Sequence, residues 1–557
     1  MRIGQDVRGA IRAFRSNPSV TTLVVLAFGL GIGITTAVFS IFNGVVLAPL
    51  PYPDPQELVM VYDTQPACST CPASFPKYHD WKTRNRVFAA IGGSTSASFV
   101  LTGAGSPQQL TAASVTASLA DVFRVPPAMG RWFTEQEDQA GGPKVTVLSH
   151  HLWTQAFGSN PGIIGQRVTL DGDAYEVVGV MPSTFNHRNA DLFVPLQRKL
   201  DPATRGSHFL VTYARLKKGV TPEQAAVDMR ALGRTLAVEF GHNHGIDVRS
   251  YYEVIVGNIR GPLHVLLGAV FLVLLIACAN VANLLLASGL SRRRELAIRL
   301  TLGARQRDIA RQLTIEALVL AAAGGAVGLL LAHWTVRIFL ELADNALPRA
   351  SAVELDGRVV AFAALLSLVV GLVCGLWPLL RLRARELTEA VRAADTRTAS
   401  GGGRQFGNGL VVAEIALAFA LLVGAGLLMK NLVLLLHRDA GIRTDHIIAF
   451  DLSPAGPRYQ SPEQIRALYH ELYARLSSAG GVQQAGFISH LPMYRFGWNG
   501  EFSIEGGNPW GPNDAPLVEY RWYYGNYLGT LGIPLLRGRL LDSRDGDGTQ
   551  TVLINQA

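Results

Sequence analysis

No G-x-x-x-x-G-K-S/T phosphate loop occurs in the 557 residues, so the chain has no P-loop with which to cradle ATP. Cysteine is scarce at four residues, which excludes a disulfide-built scaffold. Cys68 and Cys71 stand as C-x-x-C without a second such pair or nearby histidines. They make a poor zinc site, and no βαβ pattern around them suggests a redox enzyme. A local disulfide stapling a loop is the expectation, while Cys278 and Cys374 fall in apolar runs and read as inert core residues. His242-Asn243-His244 reads as a polar loop rather than a metal ligand set. Gly29-Leu30-Gly31-Ile32-Gly33 lacks the strand-turn-helix context of a nucleotide fingerprint and reads as a packing face. No catalytic, cofactor-binding or metal-ligating residues are therefore assigned. Charge is also sparse, at 17% of residues, with a net +8. A basic balance would suggest nucleic acid if the arginines lay on a soluble face, but they gather beside apolar runs instead.

Apolar residues fill what charge leaves, at 49% of the chain: too many for a typical soluble enzyme, too few for a wholly intramembrane protein. Five stretches read as membrane spans: residues 21–47, 265–290, about 314–336, 359–380 and about 406–429. At 1.5 Å per residue each crosses, or nearly crosses, a hydrocarbon core of about 30 Å. The first is longer than a signal peptide's apolar core, lacks a convincing cleavage site and should stay as an anchor. Arg2, Arg8, Arg12 and Arg15 precede it, and Arg381, Arg383, Arg385, Arg392, Arg397 and Arg404 separate the fourth from the fifth, which places these segments inside the cell. Residues 3–16 alternate apolar and basic faces at helical spacing and should lie along the inner membrane surface until Pro18.

Three G-x-x-x-G pairs, Gly29/Gly33, Gly324/Gly328 and Gly371/Gly375, would let helix backbones approach in lipid. Asn280 and Asn283 share a face of the second span, suited to bonds across helices or to a substrate path. Glu414 lies just inside the fifth span, where it either snorkels or serves as a mechanistic carboxylate.

The connector of spans two and three is distinctive. It begins Ser291-Arg292-Arg293-Arg294-Glu295-Leu296-Ala297-Ile298-Arg299 and carries seven arginines against two acids. Glu295 and Arg299 are placed for a helical ion pair, Gly303-Ala304 then interrupts, and Arg305 to Glu316 resumes a helical pattern. A short helix, a glycine joint and a second helix make a protrusion that another protein can push. Positive charge puts this elbow in the cytoplasm.

Roughly 215 residues separate spans one and two, enough for a domain with its own core. Val168-Thr169-Leu170 and Tyr175-Glu176-Val177 alternate around Asp171-Gly172, a hairpin signal. Residues 209–216 read as a strand, and Thr221-Pro222-Glu223-Gln224 opens a helix with a capping box. Parts recur after span five. Phe123-Arg124-Val125-Pro126 with Gly130-Arg131 is echoed by Leu531-Gly532-Ile533-Pro534 with Gly538-Arg539, and Ser461-Pro462-Glu463-Gln464 repeats the helix opening. A strand is expected after each echo, at residues 145–148 and 552–554.

The elbow string resembles the cytoplasmic coupling segment of MacB/FtsX-type ABC transporter permeases. Further strings carry the same resemblance: Ala27 to Gly33, Phe39-Ser40-Ile41-Phe42-Asn43, Pro49 to Pro53, Val125 to Arg131, and Cys278 to Ala287. The duplicated, ADOP-like permeases without a fused ATPase are the most similar subfamily, and against them the chain is expected to be truncated. The implied fold is an α-helical membrane protein with mixed α/β extracytoplasmic domains. Its unit is one span, an external domain and three spans, followed by the start of a second unit. The implied division is an amphipathic N-terminal helix (1–20), a first span (21–47), a periplasmic core domain (48–263), an FtsX-like domain (264–380) with its elbow at 291–313, a cytoplasmic linker (381–405), a fifth span (406–430) and a second, incomplete periplasmic domain (431–557).

By resemblance, Arg292, Arg293, Arg294, Glu295, Arg299, Gly303, Ala304 and Arg305 couple the chain to an ATPase. The implied protein is a multi-pass subunit of the bacterial inner membrane that transmits ATP-driven motion for export or efflux. It would need no cofactor, and its partners would be a separate ABC ATPase, membrane lipid and a periplasmic adaptor or cargo, with no nucleic acid. An FtsX-like transmitter regulating a cell-wall hydrolase, and a membrane-tethered receptor without an ATPase, are the alternatives.

Overall fold

The computed structural model describes residues 8, 12, 14, 18–65, 68–103, 105–241, 244–291, 306–342, 349, 353–381, 402–438, 441–452, 454, 459, 461–492, 498–501, 505–506, 517–542, 545 and 551–556. They divide into a membrane unit, Met1–Pro49 with Ile255–His437, and a soluble unit, Leu50–Val254 with Arg438–Ala557.

Among the described residues five helices are long and apolar enough to cross a membrane. They are α1 (Pro18–Phe42), α2 (Tyr251–Ser291), α3 (Gln306–Leu342), α4 (Gly357–Arg381) and α5 (Gly402–Leu436). Lipid offers backbone N–H and C=O groups no partners, so glycine-rich runs such as Gly29 to Gly33 still close into helix. α1 continues through a π-turn, Asn43–Leu47. Several helices outrun the spans read from sequence. α2 starts at Tyr251 rather than near residue 265 and passes through Pro262, and α5 runs on to Leu436. Loss of charge marks where lipid begins, whereas a helix ends only where its hydrogen-bond ladder does. The amphipathic N-terminal segment lies outside the described residues apart from Arg8, Arg12 and Phe14.

In the soluble unit, residues 58–250 form one eleven-stranded mixed sheet. Its strands are β1 (Leu58–Gln65), β2 (Cys68–Cys71), β3 (Phe88–Thr102), β4 (Gln108–Val115), β5 (Met129–Gly130), β6 (Val145–Leu148), β7 (Arg167–Leu170), β8 (Asp173–Val180), β9 (Leu192–Pro195), β10 (Val211–Leu216) and β11 (Gly245–Ser250). The order is β11-β1-β10-β3-β4-β9-β6-β8-β5, with β2 on β1 and β7 joining β3 to β8. Asp171 and Gly172 both take positive φ, 51° and 85°, which is what a two-residue turn between β7 and β8 requires. One core lies under β1, β10, β11 and the helices Phe75–Arg84 and Pro222–Phe240, around Trp81, Leu210 and Met229. A second gathers Leu110, Leu170, Val177 and Leu192 with the helix His150–Phe157. Each large side chain fully buried in this way contributes roughly 1.5–3 kcal/mol.

The later segment repeats local pieces of this domain. The short helix Leu119–Phe123 ends on Arg124 at φ 54°, and Tyr527–Thr530 is followed by Gly532 at φ 69°. A Cβ at Gly92 would strike Leu119 Cα at 2.8 Å, and one at Gly486 would strike Tyr527 Cα at 2.5 Å. Arg131 grips Glu137 through both guanidinium nitrogens, at 2.8 and 2.7 Å, and Arg539 grips Asp545 in the same way, at 2.6 and 2.6 Å.

Two details differ from the sequence reading. The helix Pro462–Ser478 has the capping box shared with Thr221, but by order it corresponds to Phe75–Arg84, which likewise precedes the strand holding the contact glycine. A cap reports only how a helix starts, not which helix it is. Residues 552–554 form no strand, and Val552 and Ile554 are exposed. β6 becomes a strand by pairing with β8 and β9, and no strand among the described residues pairs with 552–554.

Candidate functional site

The contacts that build the membrane unit are backbone-close. A Cβ placed on Gly33 would lie 2.9 Å from the Gly328 carbonyl oxygen, and one on Gly324 would lie 2.5 Å from Phe28 Cβ. On its other flank α3 meets α4, where a Cβ on Gly375 would reach Thr314 Cα at 2.7 Å and one on Gly371 would reach Leu318 Cα at 3.0 Å. All three G-x-x-x-G pairs thus lie in helix contacts, and α3 is the shared wall between α1 and α4. Val24, Phe28, Ile32, Leu274, Val281, Leu320, Ala321, Leu366 and Val370 form the apolar core of α1, α2, α3 and α4. Asn280 is exposed, and neither it nor Asn283 bonds to another helix among the described residues.

The end of α1 is tied down by polar groups. Arg349 donates to the carbonyls of Val45, Ala48 and Pro49 at 3.0, 2.9 and 2.8 Å, satisfying oxygens that a helix end leaves free. Ser40 donates to the Glu354 carbonyl at 3.2 Å and the Asn43 amide to Asp356 at 3.2 Å.

The residues expected to couple the chain to an ATPase, Arg292, Arg293, Arg294, Glu295, Arg299, Gly303, Ala304 and Arg305, lie outside the described residues. Their flanks are described. α2 runs to Ser291 and α3 resumes at Gln306, where Gln312 donates to Glu316 at 3.1 Å.

Sequence reading missed a buried polar cluster in the soluble unit. Asp63 of β1 receives the Lys77 ammonium at 2.8 Å, with His208 Nε2 at 3.0 Å, His244 Nδ1 at 2.9 Å and the Gln65 amide at 3.0 Å from the same oxygen. Burial would push the Asp63 carboxyl up, but the hydrogen bonds from His208 and His244 and the Lys77 charge outweigh it and hold it well below the carboxylate range. Asp63, His208 and His244 have the donor types and the proximity of a metal site. The position a metal would need is filled by Lys77 Nζ, 3.1 Å from His208 and 2.7 Å from His244. The ammonium serves as the cation, and the cluster works as an ionic lock joining β1, the helix Phe75–Arg84 and the approaches to β10 and β11. His244 therefore sits in a buried network rather than in a plain polar loop; His242 and Asn243 lie outside the described residues. No local spacing signals a set drawn from residues 63, 77, 208 and 244.

Cys68 and Cys71 are disulfide-bonded, with Cα atoms 5.7 Å apart, and β2 pairs with β1 at Asp63 and Gln65 beside the lock. At the Arg131 clamp, the guanidinium, assisted by the Thr134 backbone, holds Glu137 down at about 2.

Residues 21–232 match the family model of the MacB-like periplasmic core domain, and residues 267–387 match that of the FtsX-like permease C-terminal region. The pyoverdine export ATP-binding/permease protein PvdT of Pseudomonas entomophila (strain L48) is 29% identical over 267 residues, 46% of this chain and 39% of that protein. The macrolide export ATP-binding/permease protein MacB of Nitrosomonas europaea is 30% identical over 214 residues, 37% of this chain and 32% of that protein. YknZ of Bacillus subtilis (strain 168), an uncharacterized ABC transporter permease, is 25% identical over 273 residues, 47% of this chain and 65% of that protein. The match thus spans 39% of the first of these relatives.

Proposed function

Since the chain belongs to the MacB/FtsX-type permeases of ABC transporters, a multi-pass inner-membrane protein with a large periplasmic domain, we propose that it carries ATP-driven motion from a separate ATPase to that domain. The purpose is export or efflux. The observation that carries this reading is the packing of α3. The helix begins directly after the arginine-rich elbow, and its small residues touch the backbones or Cβ atoms of both α1 and α4. Close-packed surfaces of this kind move as a body rather than deform, so a push at the elbow shifts three helices together.

Arg292, Arg293, Arg294, Arg299 and Arg305 supply the charge that grips the ATPase, and Gly303 supplies the joint. The named cargoes of the export relatives are not carried over to this chain.

The test is copurification from native membranes with the ATPase identified, for the wild type and for the triple variant Arg292→Glu, Arg293→Glu, Arg294→Glu. Loss of interfacial charge pairs should lower ATPase recovery at least about tenfold, equivalent to roughly 1.4 kcal/mol of binding. Undiminished recovery, or labelling of a cysteine at Arg299 from the periplasmic side, would overturn the reading.

A further inference from the structure

We propose that Asp63, His208 and His244 form a binding site for a divalent metal ion of the zinc class, and that the Lys77 ammonium is the competitor which the ion displaces. Asp63 Oδ2 lies 2.8 Å from Lys77 Nζ, 3.0 Å from His208 Nε2 and 2.9 Å from His244 Nδ1. Nζ lies 3.1 and 2.7 Å from the same two ring nitrogens. A ring nitrogen carries either a proton or a lone pair. Where a histidine donates to Asp63, its N–H faces the ammonium; where it accepts from Lys77, its lone pair faces the carboxylate. Each histidine therefore satisfies one neighbour and opposes the other, whatever its tautomer. Gln65 Nε2 crowds His208 Nε2 further, at 2.9 Å.

A doubly charged ion in place of the ammonium removes this conflict, because both ring lone pairs and the Asp63 oxygen then point inward together. Two imidazoles and a carboxylate are ligand types that zinc takes, whereas magnesium and calcium prefer sets of oxygen. The sulfurs beside the cluster are tied up in the Cys68–Cys71 disulfide, which leaves a nitrogen and oxygen set. The three ligand atoms lie within 4.8 Å of one another. A zinc tetrahedron with bonds of about 2.0–2.1 Å has edges of about 3.3 Å, so Oδ2 and the ring nitrogens need separate by only about 0.3–0.4 Å from their 3.0 and 2.9 Å.

A cavity of about 10 Å³, room for roughly one water, lies beside the cluster and is lined by Asp63, Lys77, Trp81, Arg205, Leu236 and His244. It gives a water the fourth position on the ion. Lys77 has a second carboxylate within its own helix. Asp80, three residues on, shares its face and already holds Arg205 at 2.7 Å. Metal binding thus exchanges a tie between β1 and the helix Phe75–Arg84 for one between β1 and the approaches to β10 and β11.

The test is uptake of zinc chloride by the full chain in nanodiscs after treatment with a chelator. Binding should saturate at a single site, and His208→Ala or His244→Ala should weaken it at least about tenfold, a loss seen even when only the partner of a metal ligand is removed. Lys77→Met should instead tighten it at least about tenfold, since the state with the ammonium withdrawn is the minor one and apparent affinity scales with its population. These variants also disturb the lock, so cobalt(II) supplies a readout on the unaltered chain: the intense visible absorption of a four-coordinate ion, bleached by equimolar zinc. A six-coordinate cobalt spectrum, zinc affinity unchanged in both histidine variants (an adventitious ion only), or weaker binding in Lys77→Met would each overturn the proposal.

Discussion

α1 and α5 are both long, nearly uncharged helices, yet more than half of the apolar stretch of α1 is buried and none of that of α5. Nothing in their composition accounts for the contrast. Burial in the membrane is decided by whether a partner helix with a matching groove is present, because lipid tails satisfy an apolar side chain as well as another helix does. The soluble copies repeat the lesson: Leu119, in its short helix, is buried against an eleven-stranded sheet, whereas the later segment shows only two-stranded pairings among its described residues.

The largest effect separating the two copies should come from the ionic lock, for which the later segment has no counterpart among its described residues. Lys77→Met removes the ammonium from the buried Asp63 carboxylate and leaves it to the His208, His244 and Gln65 hydrogen bonds, and should cost roughly 3–5 kcal/mol in chemical denaturation followed by the tryptophan signal of the soluble unit. A loss below about 1 kcal/mol would place the cluster in the class of exposed pairs.

Next in size is the paired substitution Gly33→Leu and Gly424→Leu. Overpacking against Gly328 should destabilise by about 1–3 kcal/mol or more, read as thermal unfolding in nanodiscs, while the same change in unpartnered α5 should be nearly silent. Equal losses would erase the distinction between the helices. The two capping boxes, on helices that are not counterparts, should behave alike. Thr221→Ala and Ser461→Ala each remove a capping-box hydroxyl and should each cost about 1 kcal/mol, measured by hydrogen exchange across the two helices.

The smallest change is confined to acid. Glu137 is held down to about 2 from its ordinary 4.5, so its contribution to stability is complete above pH 4.5 and fades as pH falls toward 2. Asp545 is held below its ordinary range by Arg539 in the same way, so both copies should lose stability in the same direction. Glu137→Gln should flatten the acid limb of the first copy only; an unchanged limb would show that other carboxylates govern it.

Much of the scaffold was legible because it follows local rules. Asp171-Gly172 announced its hairpin, Thr221-Pro222-Glu223-Gln224 its capped helix, and charge-free runs their spans. The ends of α2 and α5 were not, since helix hydrogen bonding continues past the residues that mark lipid. The lock was illegible, because Asp63, Lys77, His208 and His244 meet only after β1 has paired with β11. The coupling elbow remains a reading of the sequence, carried by its arginines and its glycine joint.

The sequence by itself determined which segments are long and apolar enough to cross a membrane, since hydrophobicity is a sum over neighbouring residues. It also determined where helices start and strands turn. Only the tertiary structure decided which glycines touch, that Lys77 takes the place of a metal between two histidines, and that α1 is covered while α5 is bare. Those outcomes depend on distances between residues far apart in the chain, and folding alone sets such distances.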